Sequence, residues 1–329
     1  MVATYDYEHT AQLAQRVERL CANIGRVLVG KDEVVRQAVV CLLAGGHLLI
    51  EDVPGTGKTT LARALAASVQ LTWNRIQFTP DLLPSDVTGV SVYNQQSGEF
   101  EFRPGAVFAN VVIADEINRA SPKTQSALLE VMEEQTVTTD AVVYPAPRPF
   151  LVVATQNPID MQGTYQLPEA QLDRFLMRLA LGYPDPDAEA LMLRTQKDGA
   201  TVDNLAPVLA APELQQMIEQ VHAVEVSPAL EQYVIGIAAH TRAAPEVRLG
   251  ASPRGSLALL RAARATAAAS GRPFVAPEDV KAVAVPALAH RLTLRPELWV
   301  QRIRGEDVVA EALETVPTPP AEDALRDSA

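Results

Sequence analysis

Few short runs limit a fold as tightly as Glu51-Asp52-Val53-Pro54-Gly55-Thr56-Gly57-Lys58-Thr59-Thr60 in this chain. An apolar segment at 47–51 precedes it, and a helical pattern over 58–68 follows. In that strand–loop–helix setting Gly55 and Gly57 let backbone N–H groups converge on phosphate oxygens, and the helix N-terminus adds positive potential. Lys58 would reach the β- and γ-phosphates of a nucleotide, and the Thr59 hydroxyl would ligate Mg²⁺. The strict pattern places glycine where Asp52 stands, but the glycines nearest the phosphates are retained. The rival reading, a glycine turn with a solvated lysine, ignores the strand and the helix on either side.

The rest of the first two-thirds keeps the same rhythm. Val34, Val35, Ala38, Val39, Leu42 and Leu43 form a helical stripe stopped by Gly45-Gly46. Apolar strands are expected at 74–78, 111–114, 151–154 and 176–181. Strands separated by helices imply a parallel sheet covered on both faces. Two segments break the pattern and read as β-hairpins, one over 90–103 turning at Gln95-Gln96-Ser97-Gly98, the other over 136–144 turning near Asp140. A turn-rich boundary at 182–190 leads into helical patterns at 187–197, 212–222, 228–242, 253–270 and 277–291. The expected division is an α/β domain over 1–184 with a helical extension at 1–23, an all-α domain over 185–304, and an acidic tail over 305–329.

Several polar residues fall where such a sheet would carry chemistry. The strand Val111-Val112-Ile113-Ala114 ends in Asp115-Glu116, which places Asp115 beside a bound Mg²⁺ and Glu116 as the base that polarises an attacking water. Asn157 follows another buried strand and can orient that water, although Asn-Pro is also a common turn. Arg174, just before the last strand, could stabilise phosphoryl charge for a neighbouring subunit; Arg178 and Arg119 compete for the role, and a salt bridge to Asp173 or Glu169 is the plain alternative. Ser252 fits an N-cap and Pro253 the first helical position, so Arg254 lies in a first turn where side chain and helix dipole both favour an anion.

Charge narrows the partners. Lys and Arg number 28 against 40 Asp and Glu, a net −12, the wrong sign for a dedicated duplex-DNA or anionic-membrane binder. Half of that excess belongs to 305–329, where Arg326 alone opposes seven acids; with its Pro-Thr-Pro-Pro break, the end of this tail reads as poorly ordered, and its removal is expected to spare hydrolysis. Cys21 and Cys41 are too few for a disulfide scaffold and read as reduced, half-buried helix residues. No secretory signal or membrane-spanning run is visible, so the expected location is cytoplasmic.

Taken together, EDVPGTGKTTLARALA, VVIADEINRASPKTQSALLEVMEE, ATQNPIDMQGTYQLPEAQLDRF and SPRGSLALLRAARA closely resemble the MoxR family of AAA+ ATPases, over about residues 24–300. The resemblance implies a P-loop core with β-hairpin inserts and a small helical lid, typical of the helix-2-insert branch. It makes Gly55 to Thr60 the Walker A segment, Asp115 and Glu116 Walker B, Asn157 sensor 1, Arg174 the arginine-finger candidate and Arg254 sensor 2, acting in its own subunit or across the interface. Pro54 belongs to the same phosphate loop, and Val29-Gly30 match the stretch bordering the adenine ring. It further implies ATP and Mg²⁺ as ligands, a homo-oligomeric ring that is usually hexameric, and chaperone-like activation of a protein client, often with a von Willebrand factor A domain partner. The rival is a nucleic-acid motor of the same branch, but neither expected hairpin tip is basic.

Overall fold

The computed structural model describes residues 7–157, 164–195, 201–296 and 303–320. The chain opens with α1 (Tyr7–Gly25) and α2 (Asp32–Leu43), then β1 (His47–Glu51), the glycine loop and α3 (Lys58–Ser68). β2 (Trp73–Gln77) and the short α4 (Pro84–Thr88) lead into a hairpin of β3 (Gly89–Asn94) and β4 (Glu99–Pro104). β5 (Val111–Asp115) and α5 (Pro122–Glu134) precede a second hairpin, β6 (Thr136–Thr139) and β7 (Val142–Pro145). β8 (Leu151–Gln156), the one-turn α6 (Glu169–Leu172) and β9 (Phe175–Leu179) complete the sheet.

The five sheet strands are parallel in the order β2-β5-β8-β1-β9. Alternation in the strands supplies both faces of the sheet with core residues, as a doubly covered parallel sheet requires. Val111 and Ile113 of β5 pack with α1, α2 and α3, while Val112 and Ala114 pack with Leu128, Leu129 and Met132 of α5 on the other side. Leu13, Val17, Leu20 and Ile24 give α1 a buried stripe at helical spacing. The second hairpin turns through Asp140 and Ala141, both with positive φ, the geometry that matches strand twist in a tight turn.

The helical part contains α7 (Pro186–Thr195), α8 (Ala211–His222), α9 (Pro228–Ala243), α10 (Pro253–Ala269) and α11 (Pro277–Leu288). The last two residues of the helix expected over 187–197 lie outside the described ones. Leu259 and Ala262 of α10 and Val280 and Val283 of α11 share one apolar cluster with α1 and α2, so the core runs unbroken from the sheet into the lid.

Three expectations change. The lid is not purely helical: β10 (Val247–Leu249) and β11 (Thr293–Leu294) pair antiparallel where the chain runs extended beside α9. Nor does an acidic tail begin at 305, because α12 (Gly305–Thr315) docks on α9 and α11 and buries Val308, Val309 and Ala312. Its acids lie on the other side of an amphipathic helix, and Glu306 pairs with Arg178 of β9 at 2.5 Å. The end of the expected tail, residues 321–329, lies outside the described part. Finally, Cys21 is half-buried, but Cys41 is fully buried, and desolvation pushes its thiol up to about 12.

Candidate functional site

Every strand of a parallel sheet ends on the same edge, and ligands bind beyond those C-terminal ends. Here β1 delivers the glycine loop, β5 delivers Asp115 and Glu116, and β8 delivers Thr155, Gln156 and Asn157 to one cavity of about 360 Å³. Pro54, Gly55, Gly57, Lys58, Thr59 and Thr60 form one wall. Gly55 and Gly57 sit at φ +85° and +97°, a region that side chains strongly disfavour, and a Cβ on Gly57 would press on Leu28 at 3.1 Å. Lys58 Nζ donates to the carbonyls of Asp52 at 2.9 Å and Val53 at 2.6 Å, and partial burial lowers its pKa. These carbonyls occupy the ammonium in the way that phosphate oxygens can.

The Asp52 carboxylate accounts for the departure from the strict loop pattern. Oδ1 accepts the Val53 N–H at 2.7 Å, and Oδ2 accepts the N–H of Gly182 at 2.6 Å, just beyond β9. A glycine at 52 could tie nothing. The loop is thus fastened to the segment that leaves the sheet for the helical part.

Opposite the loop, Thr59 Oγ1 lies 3.3 Å from Asp115 Oδ2, and Thr155 Oγ1 donates to Asp115 Oδ1 at 3.2 Å. Glu116 adopts a left-handed backbone, φ 56°, and its N–H donates to Thr155 Oγ1 at 3.0 Å. Its Oε2 accepts from Gln77 Nε2 at 3.0 Å and pairs with Arg119 Nε at 3.1 Å. Arg75 Nε lies 2.6 Å from Asp115 Oδ2. Sequence reasoning missed Arg75, Gln77 and Thr155. The signal was the polar pair Arg75 and Gln77, two apart on one face of β2, whose register sets Gln77 beside Asp115.

A second cavity of about 560 Å³ adjoins the loop, lined by Val29, Leu28, Thr56, Tyr183, Met192 and Leu193 among others. It is more apolar, as a flat heteroaromatic base would need. Val29 lines this cavity. Gly30 does not line the cavity; at φ +71° it packs against α7, where a Cβ would meet Ala188 Cβ at 2.5 Å. Lys31 Nζ holds the Tyr183 carbonyl at 2.7 Å.

Arg174 and Arg254 lie elsewhere. Arg174 immediately precedes β9, whose Phe175 is level with His47 at the start of β1, so it sits on the opposite edge of the sheet from the loop. One strand of rise, on the order of 15 Å, separates the two edges. There Arg174 Nη2 pairs with Glu133 Oε2 at 2.9 Å, and Arg254 Nη2 pairs with the other oxygen, Oε1. Ser252 caps α10 as expected, accepting the Gly255 N–H at 3.2 Å. The anion met by Arg254 is therefore the Glu133 carboxylate, whose pKa the hydrogen bond from Arg254 lowers. Of the competing arginines, Arg178 bridges Glu51 and Glu306, and Arg119 lies against Glu116.

This arrangement defines a P-loop nucleoside triphosphatase of the AAA+ class. Residues 47–177 match the model of the ATPase family associated with various cellular activities, and 239–312 match that of the AAA lid domain. The chain is 48% identical to the uncharacterized protein YeaC of Bacillus subtilis, over 92% of this chain and 95% of that one. It is 41% identical to Chaperone MoxR1 of Mycobacterium tuberculosis, over 95% and 85% respectively. The crystal structure of a candidate ATPase from Cytophaga hutchinsonii superposes with a TM-score of 0.88 at 37% identity, covering 95% of this chain and 98% of that one. The chain belongs to the MoxR family of AAA+ ATPases, and it binds and hydrolyses ATP. Among the described residues no helix is long and apolar enough to cross a membrane.

Proposed function

We propose that the protein is a Mg²⁺-dependent ATPase that works as a homo-oligomeric ring, six subunits in the arrangement its family implies, and remodels a protein client in the manner of a chaperone. The observation that carries this reading is the separation of Arg174 and Arg254 from the phosphate loop by the full height of the sheet. Neither can serve its own nucleotide, and both stand together on a surface that a neighbouring subunit can meet. We assign Arg174 as the finger and Arg254 as a second arginine acting across the interface.

Thr59 Oγ1 and the Asp115 carboxylate fit Mg²⁺: both are hard oxygen donors, close together, and few enough to leave positions for phosphate and water. Held by Thr59 and Asp115, the ion would supply positive charge against the phosphates. In our assignment Pro54 to Thr60 cradle the phosphates, and Lys58 exchanges the Asp52 and Val53 carbonyls for them. Glu116, oriented by Gln77 and Arg119, accepts the proton of the attacking water, which Asn157 aligns. Val29 and its apolar neighbours receive the base.

The hairpins favour a protein client. Tyr93 and Phe100 meet edge to face near the tip of the first, 52% and 71% exposed, beside Glu99 and Glu101. Val142 and Val143 are exposed on the second. Apolar and acidic tips suit an unfolded or basic polypeptide segment and lack the cations that dominate nucleic-acid affinity. A von Willebrand factor A domain protein is the partner that the family resemblance suggests. Glu116→Gln should retain ATP and lose turnover by roughly 10²–10⁴-fold. Captured with ATP, this form should retain a specific protein. Recovery of nucleic acid alone would refute the client assignment.

A further inference from the structure

Arg291 closes the 3-10 turn (Ala289–Arg291) that follows α11, with its side chain 2% exposed, in a part of the lid to which no nucleotide chemistry is assigned. A buried guanidinium is retained only where its donors are matched. Nε donates to the Ala287 carbonyl at 2.7 Å, back onto the last turn of α11. The other nitrogens reach out of the lid to the entry of β9. Nη1 donates to the Asp173 carbonyl at 2.7 Å and pairs with Asp173 Oδ1, while Nη2 donates to the Phe175 carbonyl at 2.7 Å. The fork therefore grips the backbone on both sides of Arg174. Ser252, the cap of α10, adds a bond from Oγ to Asp173 Oδ2 at 3.1 Å.

We infer that Arg291 is a positioning residue for catalysis in the neighbouring subunit: it fixes the backbone that presents Arg174. The lid thereby holds the finger segment through Arg291 on the two carbonyls, His290 Nε2 3.1 Å from the Phe175 carbonyl, Ser252 on Asp173, and Arg254 on the Glu133 that also binds Arg174. A movement of one subunit's lid would displace the arginine it offers next door, and this links the state of one site to turnover at another. Only an arginine can do this. Its planar fork spans two carbonyls two residues apart, whereas a lysine ammonium presents a single point of attachment. The inference rests on Arg174 acting across the interface.

The test uses assemblies of the full chain with two affinity tags, so that only mixed assemblies are recovered. Arg291→Lys keeps the charge against Asp173 and loses the fork. Alone it should bind ATP within about twofold of the parent and lose kcat by roughly 10–100-fold, as expected for a displaced catalytic group. Mixed with Lys58→Ala subunits, which lack a working site but present an intact Arg174, it should turn over several-fold faster than either variant alone. Asp173→Asn, which preserves shape, should behave the same way. Full activity of Arg291→Lys, or parallel loss of ATP affinity and kcat without recovery on mixing, would overturn the inference. Arg174→Ala mixed with Lys58→Ala is measured alongside. Recovery there but not with Arg291→Lys sinks the inference alone, and recovery in neither sinks the interface reading as well.

Discussion

Replacing Asp52 with glycine would restore the strict phosphate-loop pattern, and the structure says that the change should be harmful. The carboxylate accepts two backbone N–H groups, at 2.7 Å from Val53 and 2.6 Å from Gly182, and the residue is only 9% exposed. Hydrogen bonds to a charged group contribute about 1.5–3 kcal/mol each. The Val53 bond is local and can be replaced partly by water, so about 2–4 kcal/mol is a fair range for the loss, with up to about 1 kcal/mol more from the added backbone freedom of glycine. For a chain of 329 residues each kcal/mol moves the thermal midpoint by about 1.5 °C, which predicts a fall of roughly 3–7 °C. Asp52→Ala removes the same bonds without the extra freedom and should fall slightly less. Thermal unfolding without nucleotide gives the midpoints, and a fluorescent ATP analogue tests whether the loosened loop binds any better. If Asp52→Gly proves as stable as the parent, the tether to Gly182 contributes nothing and the reasoning fails.

Other perturbations follow from the same geometry. Glu133→Ala frees Arg174 and Arg254 together and should lower turnover by about tenfold or more while leaving nucleotide affinity near that of the parent, as steady-state kinetics and titration can show. His47 is fully buried between the Met132 carbonyl and the Val152 N–H, and desolvation lowers its pKa to about 4. The unfolded chain binds its proton near pH 6.5 and the folded chain only near 4, so stability present above 6.5 is lost as pH falls towards 4, by up to about 3 kcal/mol. Urea unfolding at pH 7 and pH 4.5 should show that loss, and a His47→Gln variant should show less of it. Truncation after Arg304 removes buried Val308, Val309 and Ala312 together with the Glu306–Arg178 pair, and should destabilise the lid by about 4 kcal/mol by the burial of its two valines alone. A thermal midpoint unchanged by truncation would restore the view of this segment as a dispensable tail.

Much of the fold was legible because local and tertiary demands agree in it. β1 and α3 fall at 47–51 and 58–68 as read, since the glycine loop between them admits few other arrangements. Both hairpins were marked by turn residues and by apolar alternation. The segment 305–315 was obscured because its acids, and the prolines beyond, outweigh Val308, Val309 and Ala312 in any average over 25 residues. The periodicity of those three, read alone, was the better guide. Glu133 was hidden for a different reason. On α5 it reads as one more surface acid, and only the packed lid brings Arg254 to it beside Arg174. Arg291 resembled an ordinary helix-end cation because its partners, Asp173 and Phe175, are more than a hundred residues away.

The central claim is that each nucleotide site is completed by a neighbour, and its most direct measurement is turnover per subunit across a dilution series, with particle mass recorded at each concentration. The account predicts that turnover per subunit falls as assemblies come apart, and that it approaches the level of Arg174→Ala in the monomer. A monomer that keeps the full rate would show that the site is complete within one chain and would contradict the account.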